Sequence, residues 1–248
     1  MSKKILIIGA TSGMAEHCSR IWSAEANHEF VLVGRSESRL EKIASDLHVR
    51  NTSSKISVEV IDFLDISMIN DLIDRVYAES PIDIALIAHG SLPDQGTCQQ
   101  DITKVNDVLN LNGMSPVLFS EKIAQKMEQE GNGTIAIIGS VAGERGRKSN
   151  YVYGAAKGLV TRYAEGLQHR FAGTDVKVVL IKPGPTDTPM TSHLKDQGAK
   201  LASVDGVAKT IVKAIKEGTP TVYAPTKWAL IMAIIRSLPK FIFNKIDI

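Results

Sequence analysis

Tyr153 and Lys157 stand four residues apart in Tyr153-Gly154-Ala155-Ala156-Lys157, thirteen residues after Ser140, which closes the aliphatic run ending Ile137-Ile138-Gly139. Side chains four apart on a helix share one face. An ammonium beside a phenol stabilises the phenolate and draws its pKa down from about 10, which makes the phenol a usable proton donor and acceptor. A serine hydroxyl at the end of the preceding strand can hold a carbonyl oxygen. The spacing has a double, because Tyr223 and Lys227 repeat it with Thr210 thirteen residues upstream. Pro225 interrupts any helix shared by that second pair, and Thr210 falls inside the helical pattern Val207–Val212, so the second set is set aside.

A second constellation lies at the start of the chain. Ile5-Leu6-Ile7-Ile8 leads into Gly9-Ala10-Thr11-Ser12-Gly13-Met14-Ala15 and then a helical stretch toward Trp22. Between a strand and a helix, such glycines let the backbone turn tightly and leave the first helix amides to receive a pyrophosphate. The alternative reading is a plain turn. About twenty residues on, Val33-Gly34-Arg35-Ser36 ends the second aliphatic run, with Arg39 one turn later. A carboxylate there would accept the ribose hydroxyls of NAD, whereas an arginine pairs with the 2′-phosphate of NADP, so NADP(H) is expected over NAD(H) unless Arg35 is simply a solvated helix start. Asp62-Phe63 follows the third run. Asp62 has two readings, a carboxylate that meets an adenine amino group or a helix N-cap.

These groups need a scaffold, and the chain supplies one. Short aliphatic runs at 4–8, 30–33, 56–61, 82–88, 134–139, 176–181 and 219–224 alternate with helical stretches capped by residues such as Ser36 and Asp65. The pattern predicts a single-domain α/β fold, a doubly wound parallel sheet of about seven strands with ligands at the carboxyl ends of the strands. With 248 residues, 44% hydrophobic and 23% charged, residues 1–225 form the dinucleotide-binding catalytic unit and 226–248 an apolar, basic extension of it. A net charge of +2 gives no clustered basic excess and excludes nucleic acid as the partner. Two distant cysteines, Cys18 and Cys98, have no metal-ligand spacing and point to a reducing, cytoplasmic compartment. No metal is expected. In the extension, Trp228, Phe241 and Phe243 are interleaved with Lys227, Arg236, Lys240 and Lys245. It reads either as a segment lying in a membrane interface or as a helix packed on the sheet or on a sister subunit.

Taken together, the chain resembles the short-chain dehydrogenases/reductases over essentially its full length: Gly9–Ala15, Asp62, Asn110-Leu111-Asn112-Gly113, Ser140, Tyr153–Lys157 and Pro183-Gly184 occur in family order. The resemblance implies a catalytic tetrad of Asn110, Ser140, Tyr153 and Lys157. Tyr153 would give a proton to a carbonyl oxygen as hydride arrives from the nicotinamide, Lys157 would bind the nicotinamide ribose, and Asn110 would hold a relay water. It further implies cofactor contacts from Gly9, Thr11, Ser12, Gly13, Met14, Phe63, Gly90, Pro183, Gly184, Thr186 and Thr188. It also implies homodimers or homotetramers built through the helices around 101–129 and 150–172. The sequence departs from the family where Asn-Asn-Ala-Gly is replaced by Ile87-Ala88-His89-Gly90; His89 either faces the cofactor or is a satisfied buried histidine.

Val58–Phe63, Ala142–Asn150 and Leu238–Phe243 with Lys245 are similar to the reductase half of the decaprenylphosphoryl-ribose 2-epimerase system. This narrower resemblance implies a keto-sugar substrate, lipid-linked through a phosphate, an oxidase partner and contact with the inner membrane face. Arg145, Arg147 and Lys148 lie between Ser140 and Tyr153, and either reach a substrate phosphate or belong to a solvated loop. A general reductase or alcohol dehydrogenase for small carbonyls is the alternative enzyme. A catalytically silent NADP-binding module is the alternative outside enzymes.

Overall fold

A computed structural model describes residues 2–246 except 193, 194, 196 and 197. Seven strands alternate with helices: β1 (Lys4–Ile8), α1 (Gly13–Glu25), β2 (Glu29–Gly34), α2 (Glu37–Arg50), β3 (Lys55–Val60), α3 (Ile66–Glu79), β4 (Ile84–Ile87), α4 (Gln95–Gln100), α5 (Ile102–Leu109), α6 (Ser115–Glu130), β5 (Asn132–Ile138), α7 (Tyr151–Arg170), β6 (Asp175–Pro183), α8 (Val204–Glu217), β7 (Thr221–Ala224), α9 (Lys227–Ser237) and α10 (Lys240–Phe243). The strands form one sheet in the order β3-β2-β1-β4-β5-β6-β7, every pairing parallel. Each predicted strand is present within a few residues of its predicted ends.

The aliphatic runs form strands because the sheet is covered on both faces, so residues pointing either way must be apolar. β1 and β4 are buried throughout. The two edge strands are the exceptions: β3 is half-buried at best, and β7 is buried only at Ala224. One core layer, with Phe119, Ile123, Leu72 and Val160, packs α3, α6 and α7 against the sheet; the other, with Trp22, Leu40, Ile211 and Ile215, packs α1, α2 and α8. Polar residues set the helix ends. Asp65 caps α3 by accepting from the Ser67 and Met68 amides, and Ser203 caps α8 by accepting from the Gly206 amide.

Strand order reverses between β1 and β4, so the chain leaves these neighbours in opposite directions and a crevice opens at their carboxyl ends. α5 and α6 form one continuous helix interrupted by a π-helical turn, Asn110–Met114. Beyond β7, α9 rests on Met232, its one buried position among the described residues, and leaves Leu230 and Ile234 exposed. No helix among the described residues is long and apolar enough to cross a membrane.

Candidate active site

The crevice holds a cavity of about 490 Å³, within the usual small-molecule range of about 300–1,000 Å³. Its floor is the β1–α1 turn. Gly9 takes φ +82°, and a Cβ there would lie 2.5 Å from the His89 backbone nitrogen, so the turn closes against the β4 loop only with glycine. Ser12 is the N-cap of α1 and makes no side-chain capping bond, which leaves the first helix amides without a side-chain acceptor. Gly9, Thr11, Ser12, Gly13 and Met14 all line it.

At the far end stand Arg35, Ser36 and Arg39. Arg39 donates to the Thr11 carbonyl at 3.2 Å, and the Arg35 guanidinium lies 5.9 Å from the Phe63 ring centre. No aspartate or glutamate occurs among the described residues of this wall. A cradle of free amides with two arginines and no carboxylate fits a dinucleotide carrying an additional phosphate.

Asp62 does not cap the following helix. It is exposed, lies outside the lining, and accepts from the Leu64 amide at 3.0 Å, while Asp65 caps the helix. Phe63 does line the cavity. His89 is buried against Phe63, with ring centres 4.5 Å apart, and its Nε2 lies 2.9 Å from Ser115 Oγ. The Ser115 hydroxyl donates its proton to the Phe63 carbonyl at 2.7 Å, so His89 Nε2 must be the donor and Nδ1 is left bare. Burial first, then the charges of Lys157 and Arg35, bring the imidazole down to about 3.

A second chamber adjoins the first and contains Ser140, Tyr153 and Lys157, together with Gly90, Asn112, Pro183, Gly184, Thr186 and Thr188. Ser140 ends β5 and caps the 3-10 turn Val141–Glu144, its Oγ accepting from the Ala142 amide at 3.1 Å. That turn is pressed onto α7. A Cβ on Gly143 would come within 2.6 Å of the Lys157 carbonyl, so glycine allows the contact that holds Ser140 near Tyr153. Lys157 is buried, its Nζ donating to the Ile138 carbonyl at 2.9 Å and lying 5.9 Å from the Tyr153 ring centre. Burial pushes the Tyr153 phenol up to about 12, with Ser140 working in the other direction, and brings the Lys157 ammonium down to about 8. The phenol is thus held in its proton-donating form. The lowering of its pKa that the Lys157 spacing suggested is not found: burial raises it and Ser140 alone opposes the rise.

The fourth expected member is displaced. Asn112 lines the chamber and Asn110 does not. Two residues apart on a helix differ by roughly 200° around the axis, so one of the pair must face away. Asn112 is buried, accepts from the Ser91 amide at 2.8 Å and donates to the Val108 carbonyl at 3.1 Å, bracing the β4 loop against the π turn. The Thr186 hydroxyl donates to the Gly184 carbonyl at 2.9 Å, and Thr188 stands beside Gly13 where the two chambers meet.

The arginines after the 3-10 turn also separate. Arg145 leaves the site: it donates to the Ile235 and Arg236 carbonyls at the end of α9 and stacks on Phe243, 3.8 Å from the ring centre. Arg147 stays in the chamber wall. Sequence reasoning also missed Glu144. Its buried carboxylate accepts from Lys182 Nζ at 2.9 Å and the Tyr223 hydroxyl at 2.5 Å, with Arg236 Nε at 3.4 Å. Tyr223, half of the discarded Tyr–Lys pair, is thereby accounted for.

Comparison with known proteins agrees with this geometry. Residues 3–199 match the model of the short chain dehydrogenase family, and the chain belongs to that family, as an NAD(P)-dependent oxidoreductase. An uncharacterized oxidoreductase of Streptomyces coelicolor is 26% identical over 245 residues, covering 98% of this chain and 96% of its own. The ketoacyl reductase HetN of Nostoc is 27% identical, covering 89% of this chain and 77% of its own. Among solved structures, a short-chain dehydrogenase from Sphingobium yanoikuyae in complex with NADPH superposes with TM-score 0.82 at 20% identity, covering 96% of this chain and 97% of that one.

Proposed function

We propose that the chain is an NADP(H)-dependent reductase that delivers hydride to a carbonyl while Tyr153 supplies the proton. The observation that carries this reading is a half-buried Tyr153, its phenol pKa pushed up to about 12, beside Ser140 and Lys157 in a chamber that opens onto an arginine-bearing cofactor cradle. The amides of Gly9–Met14 would hold the pyrophosphate and Arg35 with Arg39 the 2′-phosphate. NADPH, when bound, supplies the hydride. Ser140 fixes the carbonyl oxygen by a hydrogen bond, Tyr153 transfers its proton to that oxygen, and the Lys157 charge stabilises the phenolate left behind. Asn112, in the place expected for Asn110, orients the β4 loop beside Lys157 for proton resupply. That HetN is named a reductase, and that the Sphingobium protein holds NADPH, favours the reductive direction and this cofactor.

For substrate, the resemblance to the epimerase reductase favours a keto-sugar, and the polar chamber wall of Ser140, Arg147 and Asn150 suits a hydroxylated carbonyl. The outer face of the tail supports peripheral membrane contact: Leu230, Ile234 and Phe241 are 69%, 56% and 70% exposed, with Lys227, Arg236, Lys240 and Lys245 around them. Self-association is proposed through Ile102, Met114 and Leu159, which are exposed on the two helical regions expected to pair. The enzymatic reading is tested by NADPH oxidation over a panel of keto-sugars and plain ketones. Wild type turns over at least one, and Tyr153→Phe loses about 100-fold or more while still binding NADPH. Equal rates in the two proteins would refute it.

A further inference from the structure

We infer that Arg147 and Asn150 form a substrate subsite for a carbonyl compound bearing an oxyanion: a keto acid, or a phosphorylated or sulfonated ketone or aldehyde. The inference rests on the reductase reading and adds to it what the enzyme selects. Both residues line the chamber that contains Ser140, Tyr153 and Lys157. Arg147 Nε is buried with no hydrogen-bond partner, and Nη2 ends 3.3 Å from the Met232 sulfur, a weak acceptor. The neighbouring carboxylate is already committed, since Glu144 takes Lys182, Tyr223 and Arg236. Burial holds the Arg147 pKa below its ordinary value, with Glu144 only partly offsetting it. A half-buried guanidinium without its own counter-ion is costly, and an anion arriving in the chamber offsets that cost. Its planar fork of donors matches carboxylate, phosphate and sulfonate oxygens.

Asn150 completes the subsite. It precedes α7 as the N-cap but makes no side-chain capping bond, and its Oδ1 is buried without a partner, three residues before Tyr153. That oxygen can accept a hydroxyl of a substrate whose anionic end lies on Arg147. Arg145 plays no part, being held by the tail. Met232 on α9 backs Arg147, so the tail fixes the direction in which the guanidinium points.

The test compares pairs with and without an oxyanion, dihydroxyacetone phosphate against dihydroxyacetone and 4-oxopentanoate against its methyl ester, in wild type, Arg147→Ala and Arg147→Lys. The phosphate and carboxylate arms show which oxyanion is preferred. Wild type favours the charged members in kcat/KM. Arg147→Ala lowers kcat/KM for them by about ten- to hundredfold more than for the neutral members, the range set by a lost hydrogen bond to a charged group. Arg147→Lys restores part of the difference. A merely structural Arg147, packed on Met232, would lower both members of each pair alike, and that result overturns the inference. Equilibrium binding to the cofactor-free protein separates this from a failure of the reductase reading. Even if no panel member is turned over, dihydroxyacetone phosphate must bind wild type at least tenfold more tightly than Arg147→Ala, and equal binding overturns the subsite.

Discussion

Replacing Glu144 by alanine should be among the most damaging single changes outside the reacting groups. The Glu144 and Lys182 side chains are 2% and 6% exposed, and their charged atoms meet at 2.9 Å. Such a pair contributes little against a well-packed apolar replacement, because desolvation offsets its attraction, but removing one partner strands the other charge. Glu144→Ala leaves the Lys182 ammonium buried without a carboxylate and also deprives the Tyr223 hydroxyl and Arg236 of their acceptor. The expected loss is about 3–5 kcal/mol. For a chain of this size each kcal/mol moves Tm by roughly 2–4 °C, which gives a fall of roughly 6–20 °C. Calorimetry and urea unfolding of wild type, Glu144→Ala and the double variant Glu144→Leu with Lys182→Met would measure it. The double variant should regain most of the loss, since no charge is left alone. A single-variant loss under about 1 kcal/mol, typical of exposed pairs, would refute the reasoning.

Three further outcomes follow from the geometry. Burial lowers the Lys157 pKa to about 8, so the ammonium is lost as pH rises through that value. The rate of carbonyl reduction should fall above about pH 8, and in Lys157→Arg, whose charge persists, the residual rate should lack that limb; a wild-type profile flat to pH 10 would contradict it. Asn112→Ala should reduce turnover at least tenfold more than Asn110→Ala, because Asn112 alone of the two lines the chamber; steady-state kinetics with the reverse order would restore Asn110 to the role. Vesicles containing anionic lipid should bind the full chain, and Leu230→Glu with Phe241→Glu should abolish that binding in flotation without lowering Tm, since both side chains are exposed; undiminished flotation would exclude the tail as the contact.

The sheet was legible because runs such as Ile5-Leu6-Ile7-Ile8 and Phe30–Val33 have no polar alternation, as strands covered on both faces require, while the edge run Ile56–Ile61 alternates with Ser57 and Glu59. Ser140, Tyr153 and Lys157 were legible because a strand end and one helix face fix their relation locally. The same local logic could not separate Asn110 from Asn112, since the π turn that decides which faces inward leaves no residue signature. Nor could it part Arg145 from Arg147. Their division depends on α9 and α10 returning, some 85 residues or more later in sequence, to offer the Ile235 carbonyl and Phe243 to one and Met232 to the other. The Glu144–Lys182–Tyr223 cluster joins three distant segments and exists only in the fold. Of the two readings of Asp62, the helix cap fell to Asp65, three residues on, whose side chain accepts from the Ser67 and Met68 amides.

Whether an arginine-bearing cradle feeds NADPH to the Tyr153 chamber is decided by titrating NADPH and NADH in parallel into wild type and Arg35→Ala. NADPH should bind wild type at least tenfold more tightly, about 1.4 kcal/mol, and Arg35→Ala should erase most of that preference while leaving NADH affinity nearly unchanged. Equal affinity of wild type for the two nucleotides would contradict the cofactor assignment, and failure to bind either would contradict the enzyme reading itself.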